Sequence, residues 1–257
     1  MDRPIIFSAP MIRAIRREIT APGTGKTQTR RILTKLSGFG AVTEFGPSDT
    51  RGYDWHFRDR RRLWNDLRDA EMRKCLPYAV GDRLWVKENH YRTDDGDEEF
   101  AVYACDEAAV REHLAALDAL PDSFPADTKA RHRKLRPSIH MPRWASRLTL
   151  LVTDVRVERL NAISHADALA EGVEIESADP PFYYVSEISP CSLTAVGVEE
   201  PGGRHAERSF GKLWEHINGA GSWDANPWVV AVSFQPFETN IDRMPERQAV
   251  PVPAAAE

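Results

Sequence analysis

Cysteine is scarce in this chain. Its 257 residues hold three, Cys75, Cys105 and Cys191, widely spaced and with no C-x-x-C pair. A sparse, odd set excludes a disulfide framework and a thiolate zinc site, and it fits a reducing compartment. Long apolar runs are missing too: no stretch approaches the roughly 20 residues that span a bilayer. Nor is positive charge in excess. Lys and Arg number 34 against 39 Asp and Glu, for a formal net charge of −5. That excludes coating of nucleic acid by bulk charge, so any such contact must come from a local patch. Two patches qualify, Arg58-Asp59-Arg60-Arg61-Arg62 and the stretch from Arg131 to Arg147. The first, taken alone, reads as a solvated charged face. The eight histidines are scattered. His132 and His140 stand eight apart, without a Cys or acidic partner at ligand spacing. No metal and no cofactor are therefore expected. The N-terminus carries Arg3, Arg13, Arg16 and Arg17 but no apolar core of a signal peptide, and a cytoplasmic protein is expected.

What is present describes an ordinary globular chain, 42% hydrophobic and 28% charged. Pro4 to Phe7 reads as a strand, and Ser8 is placed to cap a helix through Met11, Ile12 and Ile15. Residues 36–56 read as loop, and Leu63, Leu67 and Ala70 suggest a helix. After a Gly81-Asp82 turn, Arg83 to Glu88 alternates as a half-buried strand. Glu107 to Ala119 predicts a helix, and residues 121–130 a loop. Leu148, Leu150, Val152, Val155 and Val157 mark a long strand over Ser146 to Leu160. Ser164 with Asp167 resembles a capping box opening a short helix that stops at Glu171-Gly172. Ser209 is placed to cap a helix carrying Phe210, Leu213 and Trp214, and Trp228 to Phe234 predicts a final strand. Strands, short helices and long loops without regular βαβ alternation indicate an α+β fold with an antiparallel sheet or small barrel.

The most informative stretch is Pro22-Gly23-Thr24-Gly25-Lys26-Thr27-Gln28-Thr29-Arg30-Arg31. Its first half looks like a phosphate-binding loop, but the spacing is wrong. That loop needs G-x-x-x-x-G-K-[ST] between a strand and a helix. Thr20 stands where its first glycine belongs, the preceding segment reads as helix, and the following β-branched residues favour a strand. The second half reads K-T-x-T-x-R, which brings an amine, a hydroxyl and a fixed positive charge close together.

Four pieces stand in a recognisable order: Lys26 to Arg31; Gly81-Asp82-Arg83-Leu84-Trp85-Val86; Leu160 to Gly172 with Ile163, Ser164, Asp167, Ala168 and Glu171; and Trp228 to Phe234. The chain resembles the ASCH family of the PUA-like superfamily, built on a small β-barrel with peripheral helices. Arg136-Pro137-Ser138-Ile139-His140-Met141-Pro142-Arg143-Trp144-Ala145-Ser146-Arg147 and the Asn218 to Trp228 stretch are similar to a long form often encoded by phages. Thr24 stands where the family pattern has glycine, with Gly23 and Gly25 on either side. The resemblance implies one domain over 1–237, with insertions near 36–75, 90–135 and 174–208; the tail over 238–257 has too few apolar residues to pack and is expected to be mobile. A bacterial amidohydrolase of the family cleaves N4-acetylcytidine. Its Lys, Thr and Glu match Lys26, Thr29 and Glu171, the implied catalytic set. Other members are linked to RNA or DNA binding or to nuclease activity, so the alternatives are a non-catalytic module that binds RNA or DNA, reading a modified base, or a nuclease.

The chemistry of the set is coherent. A threonine hydroxyl needs an adjacent base. A lysine serves as one when burial and a neighbouring cation such as Arg31 or Arg30 lower its pKa. Glu171 then orients the amine or passes a proton to the leaving nitrogen. Arg31, Trp85, His140, Arg143, Trp144 and Arg147 are the expected substrate-binding residues, with cations pairing phosphates and rings stacking on a base. Because the phosphate-loop spacing fails, ATP should not bind measurably; a titration showing micromolar affinity would overturn that exclusion.

Overall fold

The computed structural model describes residues 1–94, 98–121, 123–178, 181–185 and 205–244. Much of the expected insertion at 174–208 and of the expected tail at 238–257 lies outside them. The chain is mixed α and β, with several sheets. In order, the first half holds β1 (Asp2–Ile6), α1 (Ala9–Thr20), β2 (Gln28–Ile32), β3 (Lys35–Leu36), β4 (Gly40–Ala41), β5 (Thr43–Pro47), β6 (Trp55–Arg58), β7 (Trp64–Leu67), α2 (Asp69–Cys75) and β8 (Arg83–Lys87). Then come β9 (His90–Asp94), β10 (Glu99–Tyr103), α3 (Glu107–Ala119), α4 (Ala126–Arg133), β11 (Thr149–Arg159), α5 (His165–Ala170), β12 (Glu174–Ala178), β13 (Pro181–Tyr184), α6 (Ala206–Asn218) and β14 (Trp228–Phe237). Among the described residues, no helix is long and apolar enough to cross a membrane.

The chain divides into two compact units. The first comprises Met1–Gly23, Arg83–Leu151 and Pro236–Glu257, and the second Thr24–Asp82 and Val152–Gln235. In the first, β8 is flanked by β1 and β11. β1 runs parallel to β8, from Asp2 opposite Arg83 to Ile6 opposite Lys87, while β11 pairs antiparallel, Leu150 opposite Leu84. Alternation sends Leu84 and Val86 of β8 inward, with Leu148 just before β11 and Leu150 within it. Helix α1 adds Ile12 and Ile15, both fully buried, at the i, i+3 spacing of one helix face. Beside this core lies an ionic knot. Arg147 donates to both carboxylate oxygens of Glu88 at 2.9 Å, and to Asp106, and sits 3.8 Å from the Tyr103 ring centroid. Cys105 donates to Glu88 at 3.2 Å, and burial with the nearby Glu88 charge pushes its thiol up to about 12.

In the second unit β14 lies between β11 and β2. β2 pairs antiparallel with β14, Thr29 opposite Val232 and Arg30 opposite Ala231. Val229 to Val232 are all buried, as a strand covered on both faces requires. β5, β6 and β7 form a meander whose inner face carries Phe57, packed edge-on to Phe39 at 5.1 Å. Helix α6 turns Phe210, Leu213 and Trp214 inward. Gly211 of that helix makes room for Trp223, because a Cβ there would meet the indole at 3.0 Å.

The structure departs from the sequence expectation in four places. Residues 36–56, read as loop, contain β3, β4 and β5 and the start of β6. These short strands are rich in Gly and polar residues, so local pairing rather than apolar alternation defines them. Trp64–Leu67 is a strand rather than helix; Leu63, one of the three residues that suggested a helix, is 57% exposed. Of residues 121–130, read as loop, 126–130 belong to α4 (Ala126–Arg133), a helix polar all round that buries only His132. Ser209 lies inside α6, which begins earlier at Ala206 after His205. Core substitution should follow this architecture. Leu84→Ala is expected to cost about 2–5 kcal/mol, whereas exposed Leu63→Ala should stay within about 0.5 kcal/mol; urea unfolding of both variants checks this.

Candidate functional site

The candidate site lies in the second unit, where β2 enters its sheet beside the end of α5. Ser164 caps α5, its hydroxyl accepting from the Asp167 amide at 3.1 Å. The helix stops after Ala170. Glu171 is its last αR residue, and Gly172 takes φ of +100°, a left-handed conformation that favours glycine. The final turn of a helix leaves carbonyls without partners. Here the segment before β2 supplies them. The Thr27 amide donates to Ala170 O at 2.8 Å, and Lys26 Nζ donates to Glu171 O at 2.7 Å.

Lys26 also donates to the Glu171 side chain, Nζ to Oε2, at 2.6 Å. Both residues are almost sealed from solvent, Lys26 at 0% and Glu171 at 4% exposure. The other carboxylate oxygen accepts from Arg30 Nη1 at 3.0 Å. Arg30 binds further partners: Gln28 Oε1 at 2.6 Å, Glu158 Oε1 at 2.6 Å through Nη2, and Asp167 Oδ2 at 3.3 Å. Phe210 lies against its guanidinium, 5.8 Å to the ring centroid. Gln28 Nε2 donates to Asp167 Oδ1 and to Ser233 Oγ, each at 3.0 Å. Arg156 closes the network on Asp167 at 3.1 Å. Three cations, Lys26, Arg30 and Arg156, thus face three carboxylates, Glu158, Asp167 and Glu171.

No family model, curated protein or solved structure matches this chain.

Burial is the largest influence on Lys26 and lowers its pKa. The Glu171 carboxylate works against that shift, and the charges of Arg31 and Arg30 add to it. Asp167 is opposed by burial, yet its carboxyl is held below the usual range by hydrogen bonds from Gln28 and Ser164 and by Arg156. Among the described residues no group of three His, Cys, Asp or Glu is arranged to hold a metal ion.

Of the expected catalytic residues, the structure brings Lys26 and Glu171 into direct contact across 145 positions. Thr29 is buried, and its hydroxyl accepts from Arg31 Nη1 at 2.8 Å. The pleat of β2 places Thr29 and Arg31 on the face opposite Gln28 and Arg30. Lys26 precedes the strand, and Arg30 and Arg31 both bear on its charge. Among the described residues, Thr29 makes no hydrogen bond to Lys26 or Glu171. The other expected binding residues belong to the first unit. Trp85 is half-buried, with Lys87 Nζ 5.4 Å from its ring centroid. His140 is exposed at the end of a 3-10 turn. Arg143 donates to Asp2 at 2.7 Å and Asp242 at 2.8 Å. Trp144 is 42% exposed, and Arg147 sits in the ionic knot.

Gln28, Glu158 and Arg156 were not among the expected site residues, and Arg30 was expected only as a cation near Lys26. Their signal is period-two spacing: Gln28 and Arg30 share the buried face of one strand, and Arg156 and Glu158 share a half-buried face of another.

The Lys26 pKa has a consequence for stability. The unfolded chain holds this proton up to the ordinary value of 10.5, whereas the folded chain releases it at lower pH. Between the two values the unfolded state binds more protons, so through Lys26 stability rises with pH. Relative to Lys26→Met, which lacks the group, the native chain should gain stability as pH climbs towards 10.5. Urea unfolding of both proteins at a series of alkaline pH values measures the difference; a falling difference would contradict the assignment.

Proposed function

We propose that this chain hydrolyses the amide bond of an N4-acylated cytosine nucleoside or nucleotide, on a PUA-like barrel of the ASCH type, in the cytoplasm. The observation that carries the reading is the fully buried Lys26 amine, held by Glu171 and depressed in proton affinity. A lysine whose proton affinity is lowered by burial gives up its proton more readily than a solvated lysine, and so serves more readily as a base. Thr29 supplies the nucleophile. Its oxygen already accepts from Arg31, leaving the hydroxyl proton for a base.

Thr29 Oγ1 attacks the acyl carbon while its proton passes to the Lys26 amine, once that amine has given up its own proton. The tetrahedral intermediate collapses, the carbon–N4 bond breaks, and the proton travels through Glu171 to the leaving N4. Water then cleaves the threonyl ester, releasing a carboxylic acid and restoring the hydroxyl. The amine and the hydroxyl must come within hydrogen-bond reach when substrate is seated, as acid–base pairs commonly do only in the bound state. Arg30 and its carboxylates hold Glu171 in place throughout, and this fixed second layer is what gives the pair its orientation.

Incubation with N4-acetylcytidine, followed by chromatography, tests the reading. The native protein should release cytidine and acetate. Lys26→Ala and Thr29→Ala should each lose at least about 100-fold in turnover while keeping a folded circular-dichroism spectrum, and Thr29→Ser should retain measurable activity. Intact substrate with the native protein would refute the hydrolase. Oligonucleotide binding that weakens steeply with salt would then assign the chain to RNA or DNA recognition.

A further inference from the structure

The first unit carries a second concentration of charge, unconnected with the chemistry proposed for Lys26. Strands β9 and β10, helix α4 and the residues just after it enclose a cleft of about 180 Å³. Its lining is Arg92, Asp94, Glu99, Arg131, His132 and Arg136. Every one of these side chains is polar, which is unusual for a small-molecule pocket. Arg92 is paired with Glu99, and His132 Nε2 meets Asp94 Oδ2 at 3.1 Å. Among the described residues, Arg131 and Arg136 pair with no carboxylate, so three guanidinium groups against two carboxylates leave the lining net positive.

Two further observations point to a missing acceptor. The Nε atoms of Arg92 and Arg136 are both buried and have no hydrogen-bond partner among the described residues. A buried donor without an acceptor is costly, and native structures rarely tolerate it. The arginines are also held in position. Arg92 lies 5.8 Å from the Trp144 ring centroid as well as on Glu99. Arg136 is pinned by backbone bonds to His90, N to O at 2.8 Å in one direction and 3.1 Å in the other.

We infer that this cleft is a binding site for a phosphate group. Phosphate offers several strong acceptor oxygens, and arginine forks recognise it with paired hydrogen bonds. The carboxylates in the cleft are already bonded to Arg92 and His132, so a dianion meets the donors of Arg131 and Arg136 that remain. The site does not depend on the hydrolase reading, and its test measures no turnover.

The experiment is calorimetric titration of the full chain with inorganic phosphate, cytidine monophosphate and a short single-stranded oligonucleotide. Phosphate should bind saturably, with a dissociation constant of about 1 mM or tighter. Arg131→Glu and Arg136→Gln should each weaken it by about tenfold. Arg131 is exposed, so its replacement keeps the fold and decides the matter even if Arg136→Gln does not fold. Affinity that rises with oligonucleotide length and falls steeply with salt supports the site and assigns its phosphate to a polymer backbone. Equal affinity for the mononucleotide and the oligonucleotide supports it and assigns a free nucleotide. No phosphate binding at millimolar concentration, or undiminished binding by the Arg131→Glu protein, overturns the inference.

Discussion

One carboxylate holds the second unit's interior together. Glu171 accepts from Lys26 on one oxygen and from Arg30 on the other, while its own backbone carbonyl takes a second bond from Lys26. A lone buried charge would be intolerable there, since desolvation of an ion is worth several kcal/mol. The solution is a closed set in which each cation has a carboxylate and Gln28 and Ser233 fill remaining positions. Such a set contributes less to net stability than to geometry, because an apolar replacement of equal volume is often as stable. Its value lies in fixing where the Lys26 amine sits and what charge surrounds it.

The same arrangement explains why the phosphate-loop lookalike is not one. In that loop, backbone amides at a helix N-terminus face an anion. Here Lys26 and Thr27 do the reverse. They lend an amine and an amide to the carbonyls at the C-terminus of α5. The same few residue types, read in a different backbone context, serve the opposite end of a helix.

Legibility followed periodicity. The strands at Arg83–Lys87 and Thr149–Arg159 and the helix at Glu107–Ala119 were readable because apolar alternation or a 3.6 spacing marks them. The α5 boundaries were readable because Ser164 and Gly172 are chemical punctuation for a helix start and stop. The β3 to β7 segments were not, since each is only two to five residues long and pairs locally, too short for apolar alternation to show. α4 was hidden for the same reason, having no apolar stripe to declare it. At the candidate site, the contact between Lys26 and Glu171 was expected from family resemblance. Arg30 as the hub was not, because a buried arginine on a strand looks from sequence like any surface arginine. Only the pleat, which turns residues 28 and 30 the same way, distinguishes the two.

The pairing of β2 with β14 has a consequence for how the chain comes to exist. Thr29 lies opposite Val232, about 200 positions later, and Lys26 reaches Glu171 across 145. Contacts so distant in sequence close slowly, because the loop entropy is lost before any bond compensates it. On the ribosome, the segment carrying Lys26 emerges long before either partner strand or partner carboxylate has been made. Until residue 228 and its followers are released, β2 is an unpaired edge and Lys26 has solvent for company. The burial that depresses the Lys26 proton affinity therefore comes late in folding, and a chain truncated before β14 would carry every charged residue of the set without the strand that pairs with β2.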